Sequence, residues 1–486
     1  MLIRQTFLYL PAQLLPPVFQ FASLIAWSHV ANAETIGVVT LFTSIQEFLN
    51  LAFIGFWTTY TQRFAAKLAS DEANRDSFFA TTTVVLAASL LIQSVLALAL
   101  YYFTIDRHAS PLLAVSLVAL VATRAFNLLQ SERGRAQGDI LLYSVTVICG
   151  PLLGFFLGVA LLWWFGSSPV WVFLGVSIGQ GVGSLFGLAR DRSWIRIGPP
   201  DGALIRHALG YGVPLILSST FAWVTQNASR VAISYMAGLA AAGIYSLGFG
   251  LGYRASTVAA MGVAAAAFPL AVRLANQGDL EGALRQLAAN GALLFGVLCA
   301  SLIGLALVSH DVLRLLVSST MREPAYPVML WCLLAGGFLA MRTTFLNQVL
   351  LLKAETRPIA ILGGIEAAAM TAAALIVVPH GGAVAGAAAF AAITGVAMVV
   401  MFRLAAQAGL LIPWRDFARA LLASGAMAAV VLAIPEAPNV AMLLVRIAAG
   451  GLAFVAVLAL LYRGHLGAIL DRRRMARAGQ VQPRGR

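Results

Sequence analysis

Charge is scarce in this chain. Only 10% of its 486 residues are Asp, Glu, Lys or Arg, whereas a soluble domain carries about 25%. Lysine is nearly absent. Lys67 and Lys353 stand alone and neither follows a glycine, which excludes a phosphate-cradling P-loop and a built-in ATP engine. Cysteine is limited to Cys149, Cys299 and Cys332, which share no metal-like spacing and lie inside apolar stretches; they read as small core residues and exclude a disulfide framework. No stretch suggests a metal or cofactor. Long polar segments are also missing, so there is no room for a separate soluble domain.

What fills the chain is apolar: 60% of it is hydrophobic. Apolar runs of about 20 residues recur from end to end, the length that crosses a bilayer as helix. Backbone polar groups must be satisfied inside lipid, so helices are expected and strands are not. The runs parse into spans near 7–28, 36–60, 78–103, 111–131, 140–164, 170–189, 210–236, 241–269, 287–309, 325–350, 358–379, 383–402, 417–435 and 440–462. The tightest join is at Gly381-Gly382.

Basic residues orient these spans. Arg107, Arg314 and Arg322 fall in loops on one side; Arg124, Arg230, Arg254, Arg342 and Arg446 fall inside spans; the rest of the 32 basic residues fall on the other side, together with both ends of the chain. That asymmetry is the positive-inside pattern and places both termini in the cytoplasm. It accounts for most of the net charge of +13, which in a soluble protein would point to nucleic acid. The arginine-rich tail is expected to lie against anionic headgroups. Ala31-Asn32-Ala33 before Glu34 has the look of a signal cleavage site. The preceding run is too long for one and contains Pro11, Pro16 and Pro17, so retention of the first span is expected.

Two blocks look related. Tyr9-Leu10-Pro11 opens span one and Tyr211-Gly212-Val213-Pro214 opens span seven; Gly37 and Gly243 then mark the start of the next span in each block. The basic segment 190–207 separates them. The division is an N-lobe over 1–200, a C-lobe over 201–403, two further spans over 404–462, and a basic cytoplasmic tail over 463–486. Parallel repeats of this kind suit a transporter with its site between lobes. The expected fold is an all-α polytopic membrane protein of 14 transmembrane helices: two six-helix lobes in parallel repeat plus two C-terminal helices.

The candidate site consists of arginines inside spans. A guanidinium near the bilayer centre costs about 2.5–3.5 kcal/mol on insertion scales and cannot escape by losing its proton. Arg124, Arg230, Arg254 and Arg342 therefore point to a wet cavity that receives an anion. Residues three or four apart share a helix face. Arg124 shares its face with Ser116, Asn127 and Ser131; Arg230 with Ser219, Trp223 and Gln226; Arg254 with Ser246, Gly250 and Thr257. Asn127 and Gln226 are candidate substrate contacts beside the arginines. Glu47, with Thr40, Thr43 and Asn50, is the candidate coupling carboxylate, since a carboxyl in such a place can take up and release a proton. Blander readings are a structural ion pair for Glu47, helix packing for Glu366, and snorkelling to headgroups for Arg230 and above all Arg446. Guanidinium forks hold phosphate through paired hydrogen bonds, so a phosphate or pyrophosphate with a polar head is the favoured cargo.

The tract Tyr211-Gly212-Val213-Pro214-Leu215, Trp223, Arg230, Gly243-Ile244-Tyr245 and Ala267-Phe268-Pro269-Leu270 before Arg273 resembles the oligosaccharide-lipid flippases, the polysaccharide-transporter branch of the superfamily that also holds multidrug and toxin extruders. The resemblance implies a non-enzymatic flippase of a bacterial inner membrane. It would move a polyprenyl-pyrophosphate-linked oligosaccharide from the inner to the outer leaflet for surface polysaccharide synthesis, such as O-antigen or exopolysaccharide. Its partners would be that lipid, membrane lipids, and a polysaccharide polymerase or glycosyltransferases. The lumen arginines of that family map onto Arg124, Arg230, Arg254 and Arg342 by span position. One departure stands out: Ser229 precedes Arg230 where the family often has Asp. The alternatives are a cation-coupled multidrug antiporter of the same superfamily, a lipid II flippase, and a membrane polysaccharide polymerase. The arginine-rich interior opposes cationic drugs, and the short outer loops oppose a polymerase.

Overall fold

The protein, seen in a computed structural model, is described over residues 2–104, 110–436 and 439–463. Arg107 and the arginine-rich tail beyond 463 lie outside the described residues, and no side chain is described for 2–10, 72–73, 104, 193 or 264–269, which takes in Arg4 and Ala267-Phe268-Pro269. Among the described residues there is helix and no strand. The helices are α1 (Leu2–Val30), α2 (Ala33–Phe53), α3 (Gly55–Ser70), α4 (Glu72–Thr104), α5 (Pro111–Gln137), α6 (Ile140–Phe165), α7 (Pro169–Arg190), α8 (Gly202–Met236), α9 (Leu239–Asn276), α10 (Leu280–Leu316), α11 (Ser319–Met341), α12 (Asn347–Leu352), α13 (Arg357–Gln407), α14 (Trp414–Ala433) and α15 (Val440–Leu461). Eleven helical stretches among the described residues are long and apolar enough to cross a membrane. The chain is a multi-pass membrane protein of all-α fold.

Local chemistry sets the helix starts. Asn32 Oδ1 accepts from Thr35 N at 2.8 Å and caps α2. The tripeptide Ala31-Asn32-Ala33 thus forms the connection from α1 to α2. Asp201 Oδ1 caps α8 through Ala203 N and Leu204 N, at 2.8 and 3.2 Å. Such side chains satisfy donors that the first turn leaves unpaired. Within α13, Gly382 adopts φ 54° and ψ −140°, a conformation costly for any residue with a Cβ. It divides α13 into the two spans expected on either side of Gly381-Gly382.

Two interruptions depart from the expected spans. The single span 36–60 breaks at Ile54, whose φ of −125° and ψ of −11° leave the helix. Beyond the break, α3 packs Trp57 and Tyr60 into an aromatic core with Phe78, Phe79 and Trp194, and this burial redirects the chain. Between α11 and α12, Arg342–Leu346 forms a π turn, closed by a bond from Asn347 N to the Arg342 carbonyl.

Close contacts divide the chain into two compact units. The first takes in Met1–Arg254, Val317–Cys332 and Arg357–Ala397; the second takes in Ala255–Leu316, Leu333–Thr356 and Met398–Arg486. Within the first, α2 and α9 meet at their starts. A Cβ on Gly37 would fall 1.9 Å from the Leu239 carbonyl oxygen, and a Cβ on Gly243 would fall 1.9 Å from that of Ala33. Only glycine allows this approach, as at other close helix crossings in membranes. The contact is reciprocal: Ala33 and Leu239 each stand four residues before their glycine. Further along, Thr40 Oγ1 donates to Ser246 Oγ at 2.8 Å, and these two hydroxyls stand at the same offset in the two blocks. The positions of Ser44 and Arg230, which are hydrogen-bonded, correspond at that offset to Gly250 and Leu24, which pack together without a hydrogen bond. Within the second unit, α10, α14 and α15 pack through Val308, Val312, Met427, Val431 and Leu443.

Candidate functional site

The site in the first unit is built on α2. Its helical period puts Thr40, Ser44 and Glu47 on one face. Glu47 Oε1 accepts from Arg124 Nη2 of α5 at 2.7 Å, and the two side chains remain 52% and 25% exposed. This ion pair is open, so a ligand can reach both members. Arg230 of α8 is buried and does not snorkel. Its Nη1 donates to Asn227 Oδ1 at 2.7 Å and to the Ser44 hydroxyl. Its guanidinium carbon sits 5.1 Å from the centre of the Phe249 ring, a favourable cation–π approach. Its buried Nε has no hydrogen-bond partner. Arg254 of α9 lies within electrostatic reach of Glu47 and Arg230, and Arg230 within reach of Glu47.

One guanidinium, from α5, therefore pairs with the Glu47 carboxylate of α2, and two more, from α8 and α9, lie within its electrostatic reach. The formal balance is positive. The residue before Arg230 offers no charge to it: Ser229 Oγ instead donates to the Gly386 carbonyl at 3.0 Å and ties α8 to α13. Trp223 braces the arrangement. Its Nε1 donates to the Ser44 carbonyl at 3.1 Å, and its ring lies 4.8 Å from that of Phe48.

The other sequence candidates have contacts of their own. Asn127 Nδ2 donates to the Gln180 carbonyl at 3.1 Å and joins α5 to α7. Gln226 Nε2 donates to the Ala222 carbonyl of its own helix at 3.2 Å. Glu366 is 3% exposed in the first part of α13. Arg342 is buried in the second unit and opens the π turn, a feature common at functional positions. Ser44 and Phe249 were not singled out by sequence. Ser44 had a signal, because it stands one turn before Glu47 on the same face; Phe249 had none, because an aromatic in an apolar helix looks like packing.

Arg446 corrects an expectation. It does not snorkel to headgroups. In the second unit its Nη1 pairs with Asp311 of α10 and its Nη2 donates to the Val431 carbonyl at 3.2 Å. Both side chains are almost fully buried, at 6% and 1% exposure. Asp311 supplies the reason: leaving either charge buried without the other costs several kcal/mol. Arg314 adds a contact to Asp311 at 3.3 Å and one to Glu436 at 3.7 Å.

No protein-family model and no curated protein matches this chain. Solved structures do. The lipid II flippase MurJ, in an inward closed conformation, aligns over 95% of this chain and 100% of its own with a TM-score of 0.73 at 13% identity. The inward-facing conformation of a multidrug resistance MATE family transporter of the MOP superfamily aligns over 82% of this chain and 97% of its own, with a TM-score of 0.58 at 15% identity. The outward-facing conformation of a transporter so described gives 0.53 at 16% identity, over 83% and 94%. This chain has the fold that these structures share. At such identities the likeness concerns the path of the helices, and the site must be argued from this chain's own residues.

Proposed function

We propose that the protein is a flippase that carries a polyprenyl-pyrophosphate-linked oligosaccharide across a bacterial inner membrane, with both termini in the cytoplasm, by alternating access between an N-lobe and a C-lobe. The observation that carries this reading is the gathering of Arg124, Arg230 and Arg254 about Glu47. One carboxylate leaves the group with an excess of positive charge, suited to a diphosphate. Glu47 holds Arg124 when no cargo is bound, and a phosphate oxygen takes its place on the same guanidinium. Paired N–H donors make arginine well suited to that exchange. Arg342 joins the substrate contacts in this reading, and Asn127 and Gln226 shape the helices that bear them. The cargo is moved unchanged, so no catalytic residue is assigned. A polymerase or glycosyltransferases would consume or supply the cargo at the membrane.

A lipid II flippase is the second reading, favoured by the higher TM-score with the MurJ structure. It shares the diphosphate chemistry and differs in the sugar. A multidrug antiporter shares the fold, but three guanidiniums repel cationic drugs. The test is a deletion strain complemented with wild type, Arg124→Ala or Arg254→Ala. Wild type should restore surface polysaccharide, while the variants reach the membrane and leave polyprenyl-linked intermediates on the inner leaflet. Unaltered polysaccharide in both variants would overturn the reading. Accumulation of peptidoglycan precursor instead would select the second.

A further inference from the structure

A cavity of about 580 Å3 opens at the start of α8, lined by Ala203, Arg206, His207, Gly210 and Tyr211. It lies away from the Glu47 group along α8, two turns before Pro214. Its residues follow the helix period, so one face carries all of them. Ala203 and Gly210 leave space; a Cβ on Gly210 would meet nothing within 4 Å. Its back wall is aromatic. The Tyr60 hydroxyl lies 3.1 Å from His207 Nδ1, the Phe64 ring lies 4.7 Å from that of Tyr60, and the Tyr211 ring lies 5.3 Å from that of Phe64. With the hydroxyl donating to Nδ1, the ring proton sits on Nε2, leaving His207 a donor.

The cation in this cavity has no ion-pair partner among the described residues. Arg206 is exposed, and no carboxylate lies within ion-pair distance of it among the described residues. The nearby acid, Asp201, is engaged by Ala203 N, Leu204 N and Ser77 Oγ. Past the cavity the same face of α8 turns apolar and stays open: Val213 is 50% exposed and Leu217 54%. Two helical turns separate Arg206 from Val213, about 10 Å. A cation and a histidine donor at one end of an exposed apolar track match a molecule with a phosphate head and a hydrocarbon tail. A free phosphate would have no use for the track, and a neutral lipid none for Arg206.

We propose that this cavity binds the phosphate of an anionic membrane lipid, held by Arg206 and His207, with a chain along Val213 and Leu217. The site is separate from the arginines around Glu47, and the proposal stands whether or not the bound lipid is the cargo. The test uses the full chain in phosphatidylcholine nanodiscs doped with photoactivatable phosphatidylglycerol, followed by mapping of the labelled peptide. Wild type should label across 206–217. The double variant R206Q/H207Q should lose label there by about tenfold or more, given the strength of charge-assisted hydrogen bonds. V213S/L217S keeps the charges and should also lose label, whereas Arg124→Gln should retain it. Inorganic phosphate in excess should displace little. Equal labelling by photoactivatable phosphatidylcholine, wild-type labelling of R206Q/H207Q, or full displacement by inorganic phosphate would each overturn the proposal.

Discussion

The Asp311–Arg446 pair and the Glu47 group both place ions inside apolar helices, yet they are made differently. In the second unit two acids, Asp311 and Glu436, meet two bases, Arg446 and Arg314; the central Asp311–Arg446 contact is nearly sealed, and the Val431 carbonyl accepts a further guanidinium hydrogen bond. In the first unit one acid serves three bases, and the contact that joins it to Arg124 is open to a ligand. A charge-balanced contact sealed from solvent presents no open face to a ligand; it ties α15 to α10. A three-to-one open group keeps unspent positive charge where an anion can arrive. Burial of a charge therefore does not mark a site. The count of opposite charges and the openness of the contact do.

The sharpest way to break this contrast is at the closed pair. Asp311→Ala strands a buried guanidinium and should cost about 3–5 kcal/mol, read as a large fall in thermal unfolding temperature in detergent. Asp311→Leu with Arg446→Met should recover most of that loss, because an apolar pair of similar volume is often neutral. If the single variant melts like wild type, the pair is not a structural tie. At the open group the expectation inverts. Arg124→Ala and Arg254→Ala should leave unfolding temperature nearly unchanged, while binding of a diphosphate lipid falls by about tenfold to a hundredfold, the value of one or two charged hydrogen bonds.

Gly243→Ala separates packing from charge in the first unit. Its Cβ would strike the Ala33 carbonyl, and overpacking of this kind costs about 1–3 kcal/mol; stability should drop with every ionic contact intact. The smallest effect is expected for Glu47→Gln. It should leave the fold in place and tighten diphosphate binding severalfold, since the internal competitor is gone, while turnover slows. Weaker binding in that variant would mean that Glu47 contacts the cargo as a partner.

Much of the helix plan was legible in the sequence because apolar length is a local property. The Gly381-Gly382 join was readable too, since two glycines between apolar runs have few other uses. The break at Ile54 was not: it depends on where Trp57 and Tyr60 find an aromatic core, which the run 36–60 does not reveal. The arginines could be flagged by cost alone, but their partners could not. Asp311 lies far from Arg446 in the chain, so a closed pair looked like a snorkelling residue. Ser44 and Phe249 are contacts of Arg230 only because α2 and α9 cross at this point.

That crossing has one more consequence. Where α2 and α9 touch at Gly37 and Gly243, main chain rests on main chain, with no side group whose size could be adjusted. No other amino acid fits at either place without prising the helices apart, so this spot is shut to gradual refinement. Any fine adjustment of how these two segments part or hold must be made at their neighbours, such as the Thr40–Ser246 bridge one turn on.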